Sequence, residues 1–154
     1  MNAPSKIIIA GVIAGILGLL LHVIIENQVE AWVAKTMIGK AIHVQTPPYS
    51  ISTNILAFVT AILPGIGTAV VFYLIDANLP GKGVFQKGLV FGFLCMLMRG
   101  TLIRAPLMDL TVGNPAVVVL AQRLEPFATG FCMALVISAI IEKGKPLPTD
   151  GNRS

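Results

Sequence analysis

Four long apolar segments run through this chain, and they constrain its fold more than any other feature. They cover residues 7–25, 51–75, 84–103 and 115–141. A helix needs about 20 residues to cross a bilayer, because each residue rises about 1.5 Å and the hydrocarbon is about 30 Å thick. Each segment has about that length or more. The pattern therefore predicts an all-α integral membrane bundle of four transmembrane helices.

The composition excludes a water-soluble globular domain. Only 12% of the 154 residues are charged and 55% are hydrophobic, whereas roughly 25% of the residues in a typical soluble domain are charged. The net charge of +4 fits basic helix ends that meet anionic lipid. Because no basic run is interleaved with aromatic residues, we predict no nucleic-acid partner.

The segments predict one transmembrane domain over residues 1–142, with an outer loop at 26–50 and a disordered cytoplasmic tail at 143–154. Lysine and arginine set the orientation, because they concentrate on cytoplasmic ends. With both termini inside, six basic residues lie inside and two lie in the outer loop, once the arginines in or beside apolar segments are left out. We therefore expect a multi-pass protein of the bacterial cytoplasmic (cell inner) membrane with both termini cytoplasmic.

Two prolines interrupt the apolar segments. Pro64, followed by Gly65 and Gly67, lies at the middle of the second segment and predicts a kink or hinge there. A packing kink without a functional role is the alternative. Pro126 predicts a break in the fourth segment, which is then either one kinked helix or two helices.

Small residues recur at helical spacing in all four segments. Gly11, Gly15 and Gly18 follow one face of the first segment, and Gly88 and Gly92 follow one face of the third. In lipid, the hydrophobic effect cannot drive helices together, so small residues matter because they let backbones approach closely. The pattern predicts a tightly packed bundle.

The polar residues of the segments converge on one end of the predicted bundle. Successive spans alternate in direction, so the end of one span lies level with the start of the next. On the predicted orientation this is the outer end. The residues that we expect there are His22, Glu26, Asn54, Arg99, Arg104, Asp109, Gln122, Arg123 and Glu125.

Three interpretations of this outer cluster remain open. Its three arginines balance its three acids, so it could be an ion-pair network in which Arg104 pairs with Asp109 or Glu125. It could instead be a binding pocket, because the planar arginine fork suits a carboxylate or phosphate. The ligand would then be an anionic solute or a lipid head group. In the third interpretation the charges only snorkel to the interface, since a charge in hydrocarbon costs about 2.5–3.5 kcal/mol.

The chemistry of the sequence favours a protein that is not an enzyme. His22 and Glu26 lie four residues apart and resemble an acid/base pair, but no nucleophile accompanies them. We therefore predict no catalytic residue, no metal and no cofactor. The expected function is a small transporter or an accessory membrane subunit, and the alternative is a membrane-embedded enzyme acting on a lipid or another anionic substrate. A homo-oligomer or a larger membrane complex is compatible with either function.

Overall fold

The computed structural model describes residues 2–36, 51–111 and 113–143, and these residues form helices joined by turns with no strand among them. The all-α prediction is confirmed for this part of the chain. A short 3₁₀ helix, Asp76–Asn78, follows the second α-helix. The α-helices are α1 (Ala3–Thr36), α2 (Ile51–Ile75), α3 (Val84–Met98), α4 (Arg104–Thr111) and α5 (Ala116–Glu142).

Three of these helices are long and apolar enough to cross a membrane. The candidate spans are Ala3–Val33, Ile55–Asn78 and Ala116–Glu142. Large apolar side chains cover the outside of the bundle, and Leu74 and Leu120 are both 69% exposed. A surface of this kind suits contact with lipid tails rather than with water. The helices therefore indicate a membrane location.

The third apolar segment forms a shorter helix than the predicted span of 84–103. Helix α3 has 15 residues, which rise about 22 Å and fall short of the hydrocarbon thickness. Gly100 ends it with φ +71°. The Gly100 N–H donates to the carbonyl of Leu97 at 3.0 Å, and the Thr101 N–H donates to that of Met96 at 3.1 Å. This is the Schellman pattern, in which glycine at a left-handed position stops a helix.

The first helix is longer than predicted. Helix α1 has 34 residues, so residues 26–36 of the expected outer loop are helical. This stretch is rich in Glu, Gln, Ala and Lys, which favour helix even where the apolar run has ended. The rest of the predicted loop, 37–50, and the predicted tail beyond Lys143 lie outside the described residues.

Both prolines lie inside continuous helices. Helix α2 passes through Pro64, and α5 passes through Pro126. The fourth apolar segment is therefore one helix, and the break expected near Pro126 is not present. The kinks at these two prolines remain predictions.

Glycines allow the helices to pack closely, as their spacing predicted. Helix α1 lies between α2 and α5, and α3 packs against α5. Gly15 of α1 meets the α2 backbone, because a Cβ added to it would lie 2.8 Å from the carbonyl oxygen of Ala61. Gly88 and Gly92 of α3 lie close to α5, mainly against its side chains. Close contacts at glycines therefore hold both pairs of helices together.

One end of the bundle is closed by aromatic packing and by a partly buried ion triad. The rings of Phe72 and Phe91 meet edge to face, with centroids 5.0 Å apart, and join α2 to α3. Lys87 Nζ lies 2.9 Å from Asp76 Oδ1 and 2.9 Å from Glu142 Oε1. We call these three residues the Lys87 triad and this end of the bundle the lysine end. The triad links the end of α2, the start of α3 and the end of α5.

Candidate functional site

A cavity of about 320 Å³ lies toward the opposite end of the bundle, between α1, α2 and α5. We call it the cleft. Helix α1 forms its floor because it packs against both α2 and α5, which contact each other at few positions. The end of the bundle that carries His22, Arg99 and Glu125 is called the histidine end.

The cleft has a polar part and an apolar part. At the histidine end, it is lined by His22, Arg99, Glu125 and Thr129. Farther along the helices, the lining is small or apolar and includes Gly15, Leu19, Ala57, Ala61, Pro64 and Met133. A cavity with this division suits a molecule that has a polar head and an apolar body.

His22 is the centre of the polar part. Its Nδ1 lies 2.7 Å from Glu26 Oε2, one turn along α1, and 3.2 Å from Glu125 Oε1 on α5. The Thr129 hydroxyl donates to the same Glu125 oxygen at 2.9 Å. The His22 side chain is 51% exposed, whereas that of Glu125 is 18% exposed. The imidazole is thus accessible while it contacts two carboxylates from different helices.

Arg99 follows the last residue of α3 and lines the cleft. It makes no ion pair with any carboxylate of the described residues. Because Gly100 turns the chain directly after it, Arg99 lies at a helix end rather than inside a continuous span. The residue is exposed and lines the cleft.

The remaining predicted site residues do not form one cluster with the cleft. Arg123 Nη2 donates to Asp109 Oδ2 and ties α5 to α4, so Asp109 pairs with Arg123 rather than with Arg104. Arg104 and Gln122 are exposed and do not line the cleft. The side chain of Asn54 lies outside the part of the chain that the structure describes.

The three predicted hinge residues have different environments. Pro64 lines the cleft. Gly65 is buried against α1, where a Cβ would lie 2.9 Å from the Cα of Gly15. Gly67 is exposed and faces open space. Gly65 therefore has a packing role, and the hinge at these three residues remains a prediction.

Sequence reasoning missed the Lys87 triad and, in the cleft, Thr60 and Thr129. Lys87 is one of the six basic residues that the predicted orientation places inside, and Asp76 is not among the predicted site residues. The sequence does contain a signal for the triad. Asp76 and Lys87 flank the turn between two antiparallel helices and therefore lie at the same level of the bundle. Thr129 follows Glu125 by four residues, which places both on one face of α5.

Comparison with protein-family models, with curated proteins and with solved structures gives no match. The chemistry of the cleft therefore has to follow from its own residues. They offer a guanidinium that can hold an anion, an imidazole that contacts two carboxylates, and an apolar wall.

Proposed function

We propose that this chain is a non-enzymatic membrane protein of the small-transporter type, and that its cleft takes an anionic head group attached to an apolar chain. One observation carries the proposal. Arg99 lines the cleft without a carboxylate partner among the described residues, while the nearby acids are engaged elsewhere. Glu26 and Glu125 contact His22, and Asp109 contacts Arg123.

Arg99 is suited to an anionic ligand. Its planar fork can bind two oxygens of a phosphate or carboxylate through parallel hydrogen bonds. Hydrogen bonds to charged groups contribute about 1.5–3 kcal/mol each. An arginine near the hydrocarbon that lacks a protein partner also gains by meeting an anion there.

The rest of the cleft is suited to an apolar chain. Its volume of about 320 Å³ lies at the low end of the roughly 300–1,000 Å³ range of small-molecule pockets. Most of its lining beyond the polar part is small or apolar, and the few contacts between α2 and α5 give an apolar body room to enter from the bilayer.

The transporter class fits a cleft that is closed on one side. Phe72, Phe91 and the Lys87 triad fill the lysine end, so a ligand would enter from the histidine end or from the bilayer. Release on the other side would need α2 to move, and Pro64 and Gly67 give it a place to bend. We place the chain in the cell inner membrane as a multi-pass protein with both termini cytoplasmic. The short α3, together with the turn after it and α4, would supply the fourth crossing.

Arg99→Lys is expected to weaken binding of an anionic phospholipid about tenfold or more, because lysine keeps the charge but loses the fork. Arg104→Lys is the matched control, since Arg104 is exposed near the same end but does not line the cleft. Native mass spectrometry of the purified protein with phosphatidylglycerol, phosphatidylcholine or inorganic phosphate measures the effect. Equal retention of phosphatidylglycerol by both variants would contradict a role for Arg99.

Transport is tested in liposomes that contain the protein. Dithionite bleaching of fluorescent phosphatidylglycerol should become complete if the lipid is moved between leaflets, while saturable uptake of phosphate would identify a free anion as the ligand. The absence of both signals would contradict the transporter proposal.

A membrane-embedded enzyme is the second candidate, and the contacts of His22 favour it. An imidazole that lies between two carboxylates and faces the cleft can accept or deliver a proton. Recovery of a chemically altered lipid after incubation would support this function. Recovery of intact lipid supports binding or transport.

A further inference from the structure

Three metal-ligand side chains converge at the histidine end. His22, Glu26 and Glu125 each offer one donor atom, and these atoms all lie within 4.8 Å of one another. Two of the residues lie on α1 and the third lies on α5. The sequence predicts all three residues at this end of the bundle but predicts no metal there, because two histidines without a thiolate are a weak signal for a metal site.

The spacing of the donors is close to that of a bound ion. Zinc binds imidazole nitrogen at about 2.0–2.1 Å and carboxylate oxygen at about 2.0–2.2 Å, so tetrahedral donors lie roughly 3.3 Å apart. The Nδ1 of His22 is 2.7 Å from the Glu26 oxygen and 3.2 Å from the Glu125 oxygen. An ion that replaces a ring proton at Nδ1 would need an outward shift of the Glu26 carboxylate, and the two carboxylate oxygens, which lie within 4.8 Å of each other, would close around it.

The surroundings of the donors also resemble those of a metal site. The Thr129 hydroxyl holds Glu125 at 2.9 Å, as hydrogen bonds from outside the ligand set orient metal-bound carboxylates. His22 and Glu26 are held one turn apart by the continuous helix α1. With side-chain exposures of 51% and 42%, both are accessible to an ion from water.

We propose that His22, Glu26 and Glu125 bind one divalent transition-metal ion, with Zn²⁺ as the best match. The imidazole favours Zn²⁺ over Mg²⁺ and Ca²⁺, which prefer oxygen donors alone. Three protein ligands leave a coordination position open for water or an anion. The ion would also offset the negative charge of Glu125, which lines the cleft and opposes an anionic head group there. Its binding does not depend on the proposed transport function.

The test is Zn²⁺ competition with a fluorescent chelator, on the full chain stripped of metal in detergent and without added lipid. We expect one Zn²⁺ per chain. Glu26→Gln, Glu125→Gln and His22→Asn should each weaken binding about 100-fold, and Thr129→Val about tenfold because it removes only the supporting hydroxyl. Glu30→Gln is the matched control, since it removes the same charge from α1 one turn beyond Glu26 and lies outside the donor group.

The Glu30→Gln control distinguishes direct coordination of Zn²⁺ by three side chains from a general attraction of cations to the acidic residues of α1. Equal weakening by Glu30→Gln and Glu26→Gln, or Mg²⁺ that competes as well as Zn²⁺, would overturn the site. Absence of stoichiometric Zn²⁺ binding to the wild type would do the same.

A thermal shift provides a readout that does not depend on the ligand variants folding. Because the ion links α1 to α5, saturating Zn²⁺ should raise the melting temperature of the wild type, and Thr129→Val should reduce that rise. An unchanged melting temperature would count against the site. Failure of lipid binding with intact Zn²⁺ binding would refute the proposed function alone.

Discussion

Lys87→Met is expected to leave little folded protein. Lys87 Nζ lies 2.9 Å from Asp76 and from Glu142, and the Asp76 side chain is only 4% exposed. Methionine removes the ammonium that these two carboxylates share, so two negative charges would face each other in a region of low dielectric. Breaking a buried ion pair on one side costs about 3–5 kcal/mol in soluble proteins. The upper end of that cost reaches the lower end of the stability of small domains, about 5–15 kcal/mol.

Two further variants identify the cause. Lys82→Met removes the same charge from the exposed turn before α3 and should leave the yield and the melting temperature unchanged. The triple variant Asp76→Asn, Lys87→Met, Glu142→Gln removes all three charges and should recover much of the folded protein. Size-exclusion profiles in detergent report both results. A Lys87→Met protein that is as stable as Lys82→Met would show that the triad contributes little.

Gly65→Ala is expected to destabilise the bundle by about 1–3 kcal/mol, because it overpacks the contact between α1 and α2. The added Cβ would meet the carbonyl of Gly11 and would lie 2.9 Å from the backbone nitrogen and Cα of Gly15. Backbone atoms cannot move aside as a side chain can, so the two helices must separate along part of their length. Loss of melting temperature in detergent measures the effect.

Gly67→Ala is the matched control two residues away. Gly67 is helical, lies at a position that is not left-handed, and faces open space. Alanine there should be neutral or should stabilise the helix by up to about 1 kcal/mol. Similar destabilisation by both substitutions would mean that α2 is sensitive to side chains throughout this region, and would refute the close contact as the cause.

The apolar runs predicted the helical fold well but did not predict where helices end. Helix α1 continues through polar residues as far as Thr36. An apolar run marks only the part of a helix that lies in lipid, and the backbone can stay helical beyond it. Helix α3 ends early at Gly100. In the sequence, this glycine cannot be told from a packing glycine such as Gly92, because the difference lies in the backbone angle.

The sequence predicted a common level for the three polar residues that line the cleft, but it did not predict the partners of the charged side chains. Alternating helix directions placed His22, Glu125 and Arg99 at one end, and all three line the cleft. Pairing depends on how each helix is rotated about its axis, which spacing along the chain does not give. That is why Arg123, rather than Arg104, contacts Asp109.

The central claim is that the chain forms a membrane bundle with a cleft that admits water from the histidine end. Cysteine labelling in sealed membrane vesicles tests it, in a background where the free Cys95 and Cys132 are replaced by alanine. Thr60 lines the cleft, whereas its neighbour Val59 lies at the same depth, is 45% exposed and does not line the cleft. A maleimide reacts with the thiolate form of cysteine, and a thiol that faces lipid stays protonated because its surroundings are apolar.

We predict that a membrane-impermeant maleimide labels Thr60→Cys from the face that carries the histidine end and not from the other face. Val59→Cys should stay unlabelled from both faces. Equal labelling of the two positions, or no labelling of Thr60→Cys from either face, would contradict a water-accessible cleft within a membrane-spanning bundle.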